Sequence, residues 1–302
     1  MCRKEREFNA AKGYKMSENL RLLSIGAHPA DIFDQSGGTM AHHVVRGDWV
    51  GCVVLTHGAR IHDKVISNDM FHAESVPEGE KLEALMAERA DVKADEVRRA
   101  CGLLGVEDIY FFGADDAVLQ VTEESVRRLA SLLRETKPDI VLTHFPREGD
   151  GLTNPHAVCG QIAMAAMSLA GGVDPGDANP PHKVAQVFYF GTGAAGVPRS
   201  VWESAGGYYN DVFIDITDVV DKKLASLDCL ESQGYGGAYA RKRIETSDGA
   251  FGTAGGCAYA EGFIKQSAET HYHLPVTDHA LSQARASDHD IIEAQSFKIK
   301  TD

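Results

Sequence analysis

The sequence predicts a Rossmann-like α/β fold, a mostly parallel sheet with helices on both faces. Two observations carry that prediction. Short apolar runs rich in β-branched and aromatic residues recur at 22–26, 50–56, 108–113, 139–144, 184–190 and 211–216, and helical patterns separate the first four and follow the last. The runs are apolar almost throughout rather than strictly alternating, as strands buried on both sides are.

The elements follow in order. "LLSIG" (22–26) runs into "AHPAD", and "SGGTMAHHVVRG" then reads as a helix closed by Gly47. "VGCVVLT" (50–56) is the second strand. "ALMAERADVKADEVRRACGLLG" reads as a long helix, with Val92, Val97, Leu103 and Leu104 expected on its apolar face and Gly105 at its end. "DIYFFG" (108–113) is followed by "VTEESVRRLASLLRE", which Thr122 caps and Glu123 and Glu124 open. "DIVLTH" (139–144) leads to a helix with Pro155 at its first position. "VAQVFYF" and "DVFIDI" precede a helix that aligns Val220, Leu224, Leu227 and Leu230. Segments 171–181, 191–207 and 234–258 read as loops. The organisation expected is an N-terminal extension (1–20), a catalytic domain (21–275) and a polar C-terminal tail (276–302).

The 302 residues carry 43% hydrophobic and 25% charged side chains, ordinary values for a globular protein, and a net charge of −14. That charge argues against a nucleic-acid-binding face. No run reaches the ~20 apolar residues of a membrane span. The N-terminal residues lack the apolar stretch of a signal peptide, and the six scattered cysteines contain no CxxC pair. A cytoplasmic location with reduced thiols is the expectation.

In a doubly wound sheet, ligands bind beyond the carboxyl ends of the strands. "AHPAD" and "THFPREGDGLTNPHAV" both follow strands and should face that crevice. His28 and Asp31 share one tight loop, and His156 opens the helix after the fourth strand run. Two histidines and a carboxylate are the ligand count of a catalytic zinc with an open position, although His-x-x-Asp spacing alone also suits a loop histidine bonded to backbone.

The motifs in sequence resemble the PIG-L/LmbE-like zinc-dependent family. "LLSIGAHPADIFDQSGGT" is similar to its opening Ala-His-Pro-Asp-Asp-Glu with a following Gly-Gly pair, here Gly37 and Gly38. "VVLTHGA", "DEVRRACGLLGVEDIYFFGADD", "KPDIVLTHFP", "FIDITDVVDKKLASLDCLESQ" and "AYAEGF" resemble later elements in the same order. The resemblance implies that His28, Asp31 and His156 bind Zn2+ or another divalent metal.

The sequence departs from the family at the catalytic rim. The deacetylases' general base is Ala30, the following Glu is Ile32, and the Glu of Thr-x-Gly-Glu is Ala59. The histidine three before the last ligand is Thr153, and the Asp beside that ligand is Pro155. Alanine at position 30 resembles the family's 4-oxalomesaconate hydratase branch, which retains the acid lost at Ala59. Three functions follow. The favoured one is a zinc hydratase adding water to the C=C bond of a small, anionic, unsaturated oxo-polycarboxylate. The alternatives are an amide hydrolase (deacetylase) with a relocated base, and a non-catalytic metal-binding relative. His57 and His144 are the candidate catalytic residues, since imidazole titrates near neutrality; backbone-bonded loop and strand-end histidines are the plainer alternatives. Arg60, Arg147 and Arg241 are the candidate substrate-binding residues, because a guanidinium grips a carboxylate through paired hydrogen bonds. A small-molecule substrate is expected, and neither nucleic acid nor membrane. The glycine-rich 234–258 segment leaves a homo-oligomer open.

Overall fold

The protein is described by a computed structural model covering residues 19–147, 153–191 and 209–299. Residues 1–18 of the expected N-terminal extension and nearly all of the 191–207 loop lie outside the described residues. The strands are β1 (Arg21–Gly26), β2 (Trp49–Thr56), β3 (Asp108–Ala114), β4 (Ile140–His144), β5 (Gln186–Phe190), β6 (Val212–Asp215) and β7 (Ala260–Lys265). Among them run α1 (Asp31–Arg46), α2 (Lys64–Phe71), α3 (Glu80–Leu104), α4 (Glu123–Thr136), α5 (Pro155–Ala170), α6 (Val220–Asp228), α7 (Ala238–Thr246) and α8 (Asp248–Gly255), and after β7 come α9 (Asp278–Gln283) and α10 (Asp288–Ala294).

The strands form one sheet in the order β3-β2-β1-β4-β5-β7-β6. β1 to β5 are parallel, and β7 lies antiparallel between β5 and β6. Successive residues of the central strands enter opposite layers. Leu22, Cys52 and Val54 pack with Phe33, Met40, Val97 and Leu227 on one face. Leu23, Ile25, Val53 and Leu55 pack with Leu129, Leu133, Ile162 and Ala166 on the other. Both faces are therefore covered, as the apolar runs require. The order reverses between β1 and β4, so the loops leaving these two neighbours diverge and open a crevice.

The helix starts and stops match their signals. Gly47 closes α1 at φ 89°, Thr122 caps α4 by accepting the Ser125 amide, and Asn154 caps α5 with Pro155 following. The segment 234–258 is a correction. A 3-10 turn (231–233) leads into it, it contains α7 and α8, and its glycines work at the ends and close contacts. Gly237 precedes α7 at φ 69° and Gly256 follows α8 at φ 79°. The tail also carries two short helices, opened by Thr277 and Ser287 as side-chain caps. Leu103 is 49% exposed rather than apolar-facing, while Leu104 is buried.

The strand β7 is absent from the sequence expectation because Glu261 and Gly262 interrupt its apolar run. Glu261 is nevertheless buried, and its carboxylate accepts the backbone amides of Gly38 and Thr39 in α1, at 2.8 Å each. The buried Lys223 ammonium of α6 lies 2.8 Å from Glu261 and 2.7 Å from Asp248. α1 thus meets α6, α8 and β7 through a buried ionic network. Gly38 permits the approach: a Cβ there would stand 2.5 Å from Ile216 Cγ2.

Candidate metal centre

Two helix starts bring the site together. β1 ends at Gly26, and Thr56 at the end of β2 holds the next residue, donating both its amide (2.9 Å) and its hydroxyl (2.8 Å) to the Ala27 carbonyl. The chain then turns through His28 into α1, whose first residue is Asp31. His156 is the second residue of α5, with its amide donating to the Asn154 side chain at 2.9 Å. α5 sits hard against the end of β4, because Gly160 lets it approach; a Cβ there would be 2.4 Å from the His144 carbonyl oxygen. Both helices present their N-termini, the positive ends of their dipoles, where a carboxylate is favoured.

His28, Asp31 and His156 each offer a ligand atom, and these atoms all lie within 4.8 Å of one another. His28 Nδ1 is 3.3 Å from Asp31 Oδ2, and His156 Nε2 is 3.6 Å from Asp31 Oδ1. Tetrahedral zinc ligands at ordinary bond lengths stand about 3.3 Å apart, and the His156 Nε2–Asp31 Oδ1 separation of 3.6 Å is close to that spacing. Two further features support the fit. His28 Nε2 is buried without a hydrogen-bond partner among the described residues, a cost that ligation would remove. Burial also pushes the His28 pKa down, toward the neutral imidazole that binds metal, although Asp31 opposes the shift. Asp31 is the converse case. Burial pushes its carboxyl up, but the imidazoles of His156, His28 and His144 outweigh this and hold it well below the usual range.

His144, the last residue of β4, belongs to this cluster. Its ring is buried, Nε2 lies 3.0 Å from Asp31 Oδ2, and it stacks on His156 at 4.2 Å between centroids. Oδ2 also accepts the His28 amide at 2.7 Å. Ala30 contributes no proton-carrying group: its methyl is 2% exposed and packs in the core layer containing Ile32 and Phe33.

The remaining candidates divide. His57 points into a second cluster with Asp115 and Asp116, and its Nδ1 accepts the Ala59 amide at 3.0 Å. Among the described contacts, the imidazole of its loop that reaches the triad is His62, whose ring centroid is 4.0 Å from that of His28. The sequence singles out His57, just after β2, and the loop's path is what brings His62 to the triad. Arg60 is already gripped, since its guanidinium meets both oxygens of Asp115 at 2.6–3.0 Å. Arg241 donates to the Gly237 carbonyl at 3.1 Å, within its own helix start. Two residues on from it, Arg243 pairs with Asp34, one helical turn after Asp31. Arg147 is exposed beyond β4.

The family profile described as PIG-L, GlcNAc-PI de-N-acetylase, matches residues 23–167, which bears out the resemblance carried by the motifs. A 4-oxalmesaconate hydratase of Pseudomonas putida is 26% identical over 243 residues, covering 78% of this chain and 79% of its own. A 1D-myo-inositol 2-acetamido-2-deoxy-alpha-D-glucopyranoside deacetylase of Geodermatophilus obscurus is 29% identical, covering 76% of this chain and 81% of its own. Two solved structures share the fold. GalB, the 4-carboxy-2-hydroxymuconate hydratase of Pseudomonas putida KT2440, superposes with a TM-score of 0.65 at 22% identity, over 85% of this chain and all of its own. The N,N'-diacetylchitobiose deacetylase of Pyrococcus horikoshii gives 0.63 at 21%, over 82% and 83%. The relatives are thus enzymes of two kinds, acting on small molecules.

Proposed function

From a chain whose residues 23–167 match the PIG-L family, we propose a metal-dependent, water-activating enzyme, and specifically a hydratase of a small unsaturated oxo-polycarboxylate. The observation that carries this reading is the juxtaposition of His28, Asp31 and His156 with the buried methyl of Ala30. The ligand set of a zinc centre stands intact where the deacetylases' general base is missing, and a positioned base contributes ~10²–10⁴ in rate.

His28, Asp31 and His156 would hold the ion, zinc fitting the donor set and other divalent metals being accommodated by the same ligands. A bound divalent metal supplies activated water and polarises a carbonyl or carboxylate oxygen. The chain's own residues do the rest. Among the described residues of the triad, His156 has the most exposed side chain, at 31% against 12% for Asp31, and is the ligand a substrate would approach. Hydration places the water oxygen on one alkene carbon and a proton on the other, and His144, an imidazole beside the centre that is not one of its three ligands, rather than residue 30, handles that proton. The 26% identical hydratase supports this reading.

The second reading is an amide hydrolase, supported by the family profile and by the 29% identical deacetylase. One assay separates them. Zinc-loaded protein is expected to consume 4-oxalomesaconate, followed by its ultraviolet absorbance, and to release no acetate from N-acetylglucosamine derivatives. Acetate release without hydration would replace the first reading by the second.

A further inference from the structure

The loop from His57 to Asp63 is fastened by two buried charges of opposite sign. Asp116, fully buried after β3, accepts the amides of Arg60 (2.9 Å) and Ile61 (2.8 Å) and faces Nδ1 of His62 at 3.4 Å. Lys93 of α3 is 1% exposed; its ammonium donates to the His62 carbonyl at 3.0 Å and to Ser232 at 2.9 Å. Burying a carboxylate and an ammonium is costly unless each is well satisfied. Here Asp116 binds the amides of the loop, while Lys93 ties the His62 carbonyl to Ser232 and also lies 3.5 Å from the buried Asp63, which Arg89 pairs at 3.0 Å. The His62 ring, with its side chain 39% exposed, lies against the metal-site residue His28. With Nδ1–H turned to Asp116, Nε2 is the ring nitrogen left for a ligand, and as the imidazolium, with a proton on each nitrogen, the ring donates to a ligand oxygen from Nε2.

We propose that His62 is a substrate-contacting residue of this site, hydrogen-bonding an oxygen of a carboxylate or carbonyl ligand held at the centre, and that Asp116 and Lys93 are the positioning residues that present it. His62 stands three residues beyond Ala59, the position of the family's missing rim acid. The proposal rests on the metal-centre reading above, but not on which reaction the enzyme performs.

The test uses cobalt(II)-loaded full-length protein and acetate as the probe, with binding read from the visible cobalt spectrum. Cobalt affinity is measured on the same samples by chelator competition. His62→Ala is expected to weaken acetate binding about tenfold, the loss of one charge-assisted hydrogen bond, while leaving cobalt affinity within about threefold. His62→Gln should recover part of the loss, because its amide restores a donor. Asp116→Asn should weaken acetate in the same direction by loosening the ring. Acetate binding that is equal in wild type and His62→Ala overturns the proposal. So does a tenfold loss of cobalt affinity in His62→Ala, which would make His62 a metal ligand. Wild type that takes up no cobalt overturns the metal-centre reading and this proposal with it, whereas inactivity toward 4-oxalomesaconate touches only the assignment of the reaction.

Discussion

Asp31 is the residue on which the site turns. One of its oxygens, Oδ2, is occupied by the His28 amide and by His144 Nε2, which leaves Oδ1, facing His156, as the oxygen available to a metal. His144 therefore does two things at once: it orients the carboxylate and supplies a flat face for the His156 ring. Partners of this kind fix ligand geometry, and losing one typically costs 10–100-fold in metal affinity. His144→Phe keeps a ring to stack on His156 but removes the donor to Asp31. Its zinc affinity, measured against a competing chelator, is expected to fall by about 10–100-fold with the fold intact. An unchanged affinity would assign His144 to packing alone. Ala30 completes the residue-scale picture, since its buried methyl takes no part in these contacts.

α1 is held from the side as well as at its start. Its N-cap residue, Ala30, makes no side-chain cap, so the helix relies on Asp31 at one end and on Glu261, Lys223 and Asp248 along its flank. In that network burial pushes the Asp248 carboxyl up to about 7, against the pull of Lys223 and with further repulsion from Glu261. The sign follows from the raised value. The folded state holds this proton more tightly than the unfolded chain does, so the stabilisation is complete below pH ~4 and is lost as pH rises through about 7. Urea unfolding midpoints followed from pH 5 to pH 8 should therefore decline less in Asp248→Asn than in the wild type; parallel declines would remove Asp248 as the titrating group. Much at this scale is legible in the sequence. Capping residues, closing glycines and apolar periodicity place α1, α3, α4, α5 and α6. The strand β7 is not legible, because its buried Glu261 makes sense only against amides more than 200 residues away in α1. Nor are α7 and α8, whose glycines mimic a loop until their roles as caps and close contacts are visible.

At the scale of the whole molecule, the doubly wound order places β1 beside β4 and so converges His28, Asp31, His144 and His156 from segments more than 100 residues apart. The family motifs already join three of these, and the strand-end position of His144 marks it as a crevice residue. The arrival of His62 in place of His57 depends on the path of a loop clamped by Asp116 and Lys93, which no local pattern encodes. The central claim is that His28, Asp31 and His156 form one metal centre. Calorimetric titration of zinc into metal-stripped protein tests it most directly. The account predicts one tightly bound equivalent in the wild type, and a loss of affinity in each of His28→Ala, Asp31→Asn and His156→Ala at least as large as that of His144→Phe. Zinc uptake that is unchanged in His28→Ala and His156→Ala would contradict it.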